Sequence, residues 1–134
     1  MIVAQLMSGG AGAVQAKFLF EGGKELTTGN FKSIDEVALK VNFLNRDHMV
    51  GILVKWLKQR HYAMGNSDNR EYPMYLVKVV EWHKDVPFKE FMRVIRENRR
   101  ALSFCIPGVN SRCYNYYNNE IKPWLNHCLG VTGD

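Results

Sequence analysis

The sequence predicts an α+β fold of a single domain spanning residues 1–134, with a small, mostly antiparallel sheet packed by three to four helices. Three observations lead there. Residues 2–7 and 14–20 alternate across a glycine-rich break, Met74–Trp82 reads as a strand apolar on both faces, and the rest carries helical spacing with start and stop signals. A chain of 134 residues is the length of one ordinary domain. Its 46% apolar and 23% charged residues are those of a folded globular protein, not a disordered one.

Ile2–Met7 is short and apolar, and Ser8-Gly-Gly-Ala-Gly12 ends it. Val14, Ala16, Phe18 and Phe20 then alternate with Gln15, Lys17 and Leu19, so the pair reads as a β-hairpin. A phosphate-cradling loop is the competing reading, but Gly9, Gly10 and Gly12 match neither the dinucleotide fingerprint nor the Walker pattern. Glu21–Phe31 reads as loop. Ser33-Ile-Asp-Glu36 is a capping box, in which the serine oxygen and the glutamate carboxylate each take up an exposed main-chain amide.

Ile34, Val37, Ala38 and Val41 share one face of the helix that follows, and Asn45-Arg46-Asp47 is expected to interrupt it or cap a second. Met49, Leu53, Trp56, Leu57 and Met64 line the next stretch, with Gly65 as its stop. Its opposite side presents Gly51, Lys55, Lys58, Gln59 and Tyr62. In Met74–Trp82, Leu76, Val80 and Trp82 alternate with Tyr75, Val77 and Val79, the pattern of a central strand. Asp85 or Val86 caps a helix running to Leu102, with Pro87 where a missing amide hydrogen costs little. Ser103–Ile106 is expected as a last strand, Asn110–Asn119 as ordered but irregular, and Pro123–Leu129 as a short terminal helix. Leu53, Trp56, Leu57, Val77, Val79, Phe91, Met92 and Ile95 are the expected core.

The chemistry concentrates in the segment after Pro87. Lys89, Arg93, Arg96 and Arg100 repeat at i, i+4, i+7 and i+11, which on an α-helix falls within a sector of roughly 60°. Phe88, Phe91, Met92, Ile95 and Leu102 take a different sector, so one side is buried and a cationic ridge stands beside it. The bland alternative is a solvated face balanced by Glu90 and Glu97. A net charge of +5 and a pI near 9.2 favour phosphate-bearing or acidic partners. The expected function is therefore a non-enzymatic accessory protein that contacts the phosphates of DNA or RNA through this ridge. Lys55, Lys58 and Tyr62 are its auxiliary contacts.

The alternative is a protein-interaction module, an inhibitor or assembly subunit. It would offer Arg112, Tyr114, Tyr116 and Tyr117 as an interface, and the ridge would meet an acidic protein surface. A homodimer that covers the sheet edge or its second face is a further option. Catalysis finds little support. The carboxylates are scattered, and although His48, His61 and His83 could exchange protons near neutral pH, spacing alone does not bring any two of them together.

Cys105, Cys113 and Cys128 are an odd set, which argues against a disulfide framework and for reduced thiols in the cytoplasm. A zinc site from Cys105, Cys113, His127 and Cys128 lacks the usual short Cys-x2–4-Cys pair, so no metal or other cofactor is expected. No run of 18 apolar residues offers a membrane span, and Met1–Leu6 lacks the features of a secretory signal.

Overall fold

The computed structural model describes residues 1–7, 13–20 and 23–128, excluding the side chains of His127 and Cys128. The class is α+β, with strands β1 (Ile2–Met7), β2 (Val14–Phe20) and β3 (Glu25–Phe31). Helices follow as α1 (Ile34–Ala63), α2 (Glu71–Trp82), α3 (Phe88–Glu97), α4 (Arg99–Ser103), α5 (Tyr114–Tyr116), a π-helical turn Tyr117–Ile121, and α6 (Lys122–Cys128). The chain divides into two compact units, Met1–Asp47 and His48–Asp134, and α1 contributes to both.

In the first unit the strands form an antiparallel sheet in the order β1-β2-β3. The β1–β2 hairpin is as expected, with Ile2 opposite Phe20 and Met7 opposite Gln15, while its glycine-rich turn at 8–12 lies outside the described residues. Ile2, Ala16 and Phe18 from the inner face of the sheet bury Val37 of α1, with Val41 and Leu44 packed around them. β3 corrects the expected loop. Its residues are mostly exposed, so a polar edge strand carries no apolar alternation by which to be recognised. Gly23, at φ 91°, turns the chain into it, its N–H donating to the Phe20 carbonyl at 2.9 Å.

The capping residues at the start of α1 work as expected. Ser33 Oγ accepts from the Glu36 N–H at 3.3 Å, and Glu36 Oε2 accepts from the Lys32 N–H at 2.9 Å. The expected interruption at Asn45 does not occur, because α1 runs unbroken through it. Asn45 is buried, and its amide bonds the main chain of Ile2 on both sides. A polar side chain that would weaken an exposed helix is here a tertiary contact.

In the second unit Met49, Leu53, Trp56 and Leu57 of α1 join Leu76, Val77 and Val80 of α2 and Phe91, Met92 and Ile95 of α3. Val79 is half-buried, and the other seven expected core residues are buried. The expected strand at 74–82 is instead helix α2. Pro73, Leu76, Val77 and Val80 are its buried residues, a spacing of three, four and seven from Pro73, while Trp82 is 84% exposed. Three valines and apolar residues on both parities imitated a buried strand, and Pro73 sits in the first turn, where a helix tolerates it. The expected last strand at 103–106 is the end of α4 and a following turn, closed by Cys105 N–H to Leu102 C=O at 2.9 Å. No helix among the described residues is long and apolar enough to cross a membrane.

Candidate anion-binding surface

Pro87, with φ −54° and ψ 147°, precedes α3, and its carbonyl accepts the Phe91 N–H at 2.9 Å. Phe91, Met92, Val94 and Ile95 are buried, while Lys89, Arg93 and Arg96 stand exposed. The segment does not continue as one helix to Leu102. Asn98 takes φ −99° and ψ 17°, and its side-chain Nδ2 donates back to the Val94 carbonyl at 2.8 Å. Arg100 therefore belongs to α4 together with Arg99, and both are exposed.

Arg93 is held between Glu90 and Glu97. Its Nε donates to Glu90 Oε2 at 3.0 Å, one terminal nitrogen reaches the other Glu90 oxygen, and the other terminal nitrogen reaches Glu97. The hydrogen bond from Arg93 holds the Glu90 carboxyl below the usual carboxylate range, and the Glu90 bond raises the guanidinium's affinity for its proton. On α3 the three cations and two carboxylates leave a surplus of a single positive charge. Arg93 thus neutralises its neighbours, and the other cations of α3 and α4, Lys89, Arg96, Arg99 and Arg100, are exposed. Lys89, Arg99 and Arg100 make no ion pair among the described residues.

A cleft of about 630 Å³ runs along this helix, and its described lining is Pro87, Phe88, Lys89, Glu90, Met92, Arg93 and Arg96. Pro87, Phe88 and Met92 give it an apolar floor, and Lys89 and Arg96 line it as exposed cations. Clefts of roughly 300–1,000 Å³ are the size that takes small organic groups. Sequence reasoning missed Arg99 and the cleft, neither of which had a signal, whereas the clamp on Arg93 is the balancing by Glu90 and Glu97 that was weighed as the bland alternative, three residues before and four after it.

The auxiliary residues fall into two kinds. Lys58 and Tyr62 are exposed on α1, Tyr62 at 81%. Lys55 instead lies over the Tyr116 ring, its Nζ 5.4 Å from the centroid, so the structure brings together one residue from each expected set. Tyr117 stacks on Trp56 with centroids 5.6 Å apart and planes 22° off parallel. Burial raises the pKa of both Tyr116 and Tyr117. Tyr114 is half-buried, and Arg112 is exposed. Arg60, from the same basic and aromatic stretch of α1, is buried, and its Nε donates to the Cys105 carbonyl at 2.7 Å.

The three histidines with described side chains are occupied separately. A carbonyl only accepts, so Nδ1 carries the hydrogen in His61, bonded to Arg70 C=O at 2.8 Å, and in His83, bonded to Val79 C=O at 2.7 Å. His48 packs against the Trp124 ring at 5.8 Å. Among the described residues no group of three or more His, Cys, Asp or Glu side chains is placed to hold a metal ion. Two members of the zinc set, His127 and Cys128, have side chains outside the described residues. Cys105 is buried, its thiol donating to the Ala101 carbonyl at 3.4 Å.

The chain matches no family model, and no curated protein or solved structure is similar to it.

Proposed function

We propose that this protein is a non-enzymatic accessory module that binds nucleic acid through the surface of α3 and α4. The observation that carries the reading is the cleft along α3, where exposed Lys89 and Arg96 lie beside a floor of Pro87, Phe88 and Met92, followed in sequence by exposed Arg99 and Arg100. Cations that meet phosphates displace condensed counterions, and an apolar floor beside them takes the face of a base. The free thiols Cys105 and Cys113 accord with a cytoplasmic setting.

The test is a salt titration of binding to labelled single- and double-stranded oligonucleotides, with heparin as competitor. If Lys89, Arg96, Arg99 and Arg100 each meet one phosphate, the log–log slope is about −3 on a single strand and about −4 on a duplex. Arg96→Ala combined with Arg100→Ala then lowers the slope by about 1.5–2 units. An affinity indifferent to salt, or to that double variant, overturns the reading.

A protein-interaction module is the second reading. Exposed Arg112, Asn115, Asn118 and Asn119 favour it, because arginine and adaptable amides suit a polar interface. Capture of a partner that survives nuclease treatment, and that is lost with Arg112→Glu, selects this reading over the first.

A further inference from the structure

Among the described residues, the outer edge of β1 has one occupied rung and two open ones. In an antiparallel pair, alternate residues turn both main-chain groups toward the partner strand, and those between turn them away. The Ile2 N–H donates to Asn45 Oδ1 at 2.7 Å, and the Ile2 carbonyl accepts from Asn45 Nδ2 at 3.0 Å, so Ile2 faces away from β2. Its cross-strand neighbour agrees, since the Phe20 N–H donates to Lys24 C=O and the Phe20 carbonyl accepts from the Gly23 N–H. Alternation then directs Val3, Gln5 and Met7 toward β2, and directs Ala4 and Leu6 outward with Ile2. Among the described residues no group bonds the outward N–H or C=O of Ala4 or Leu6.

The composition of this edge matters as much as its geometry. Sheet edges are ordinarily protected by lysine, proline, bulges or inward-pointing charge. β1 reads IVAQLM, with no charge and no proline, and its Val3, Leu6 and Met7 are exposed.

We propose that β1 pairs antiparallel with β1 of a second copy, about a two-fold axis at Gln5, to give one continuous sheet of six strands. Asn45 closes the Ile2 rung, so a register that uses both open rungs sets Ala4 of one copy opposite Leu6 of the other. Two such pairs supply four main-chain hydrogen bonds. In this register Gln5 meets its own copy and Val3 meets Met7. Amide faces amide, apolar faces apolar, and no like charges meet although the chain carries +5. That self-match selects a second copy, and not an unrelated strand, as the occupant. The inference is independent of the α3 surface.

Cysteine cross-linking reads the register directly, because residues opposed in a non-hydrogen-bonded pair have Cα atoms about 4.5 Å apart, within disulfide reach. Under mild oxidation, with the parent chain as background, Gln5→Cys is expected to yield a covalent dimer on a non-reducing gel. Val3→Cys alone is expected to yield none, but to link when mixed with Met7→Cys. In sedimentation equilibrium the parent mass rises with concentration from 15.5 kDa toward twice that value. Ala4→Pro removes only an outward N–H and stays monomeric with an unchanged far-ultraviolet spectrum. Should Ala4→Pro not fold, Gln5→Lys sets like charges against each other at the axis and serves in its place. A parent chain monomeric at every concentration overturns the proposal, as does Val3→Cys self-linking as efficiently as Gln5→Cys.

Discussion

The side-chain amide of Asn45 bonds Ile2 as the next peptide group of a sheet would, accepting its N–H at 2.7 Å and donating to its carbonyl at 3.0 Å. Both groups are buried, so removing one partner leaves an unsatisfied donor or acceptor. Asn45→Ala is expected to lower the stability of the sheet by about 1–3 kcal/mol in chemical denaturation. Asn45→Asp keeps the acceptor but places a carboxylate beside the Ile2 carbonyl, and is expected to be at least as damaging above neutral pH. Equal stability of Asn45→Ala and the parent would show that the bidentate contact contributes nothing.

The clamp on Arg93 makes a prediction opposite to the usual one for a basic surface. Glu90→Gln with Glu97→Gln removes two negative charges and releases Arg93, so polyanion affinity is expected to rise and the log–log salt slope to steepen by about one unit. Arg93→Ala uncovers both carboxylates and is expected to weaken the same binding. Neither change should shift the melting midpoint appreciably, because these ion pairs are exposed. Binding that is unaltered by the double glutamine variant would place the contact surface elsewhere.

Burial pushes the Cys105 thiol up to about 12 from the ordinary 9.0, with the Arg60 charge acting weakly against it. The fold favours the neutral thiol, so its contribution to stability is complete below about pH 9 and is lost as pH rises toward 12. Tyr116 and Tyr117, raised in the same sense by burial, add to the loss on the alkaline side. Unfolding free energy is therefore expected to fall above pH 9, less steeply in Cys105→Ala. At pH 8 a thiol reagent should reach Cys113 in the native protein and Cys105 only on unfolding, as a time course of labelling by peptide mass would record.

Trp56 is fully buried, and its Nε1 has no hydrogen-bond partner among the described residues. Trp56→Ala is expected to cost about 3–5 kcal/mol through the cavity it leaves. Trp56→Phe keeps a ring against Tyr117 and removes the unpaired N–H, so the relief of about 1–3 kcal/mol offsets much of the lost volume. A phenylalanine variant as unstable as the alanine one would mean that the indole nitrogen is satisfied after all.

The cationic positions were legible because helical spacing is a property of the backbone, and Lys89, Arg93 and Arg96 do stand exposed on α3. The break before Arg100 was not legible. Glu97-Asn98-Arg99-Arg100 contains no glycine or proline, and the turn is made by Asn98 bonding back to Val94. The tyrosine-rich stretch at 110–119 misled in another way. Its rings look available in sequence, but Tyr117 is engaged by Trp56 and Tyr116 by Lys55, neither of which is near it in the chain.

By itself the sequence determined the α+β class, the β1–β2 hairpin, the cap at Ser33 and seven of the fifteen buried residues in the core of the second unit. Each of these rests on interactions between near neighbours or on a burial period that survives any packing. Tertiary structure alone decided that residues 71–82 coil, that β3 pairs though polar, and that α1 passes through Asn45 unbroken. In each case local preferences were close to balanced, so contacts made only after folding chose between them.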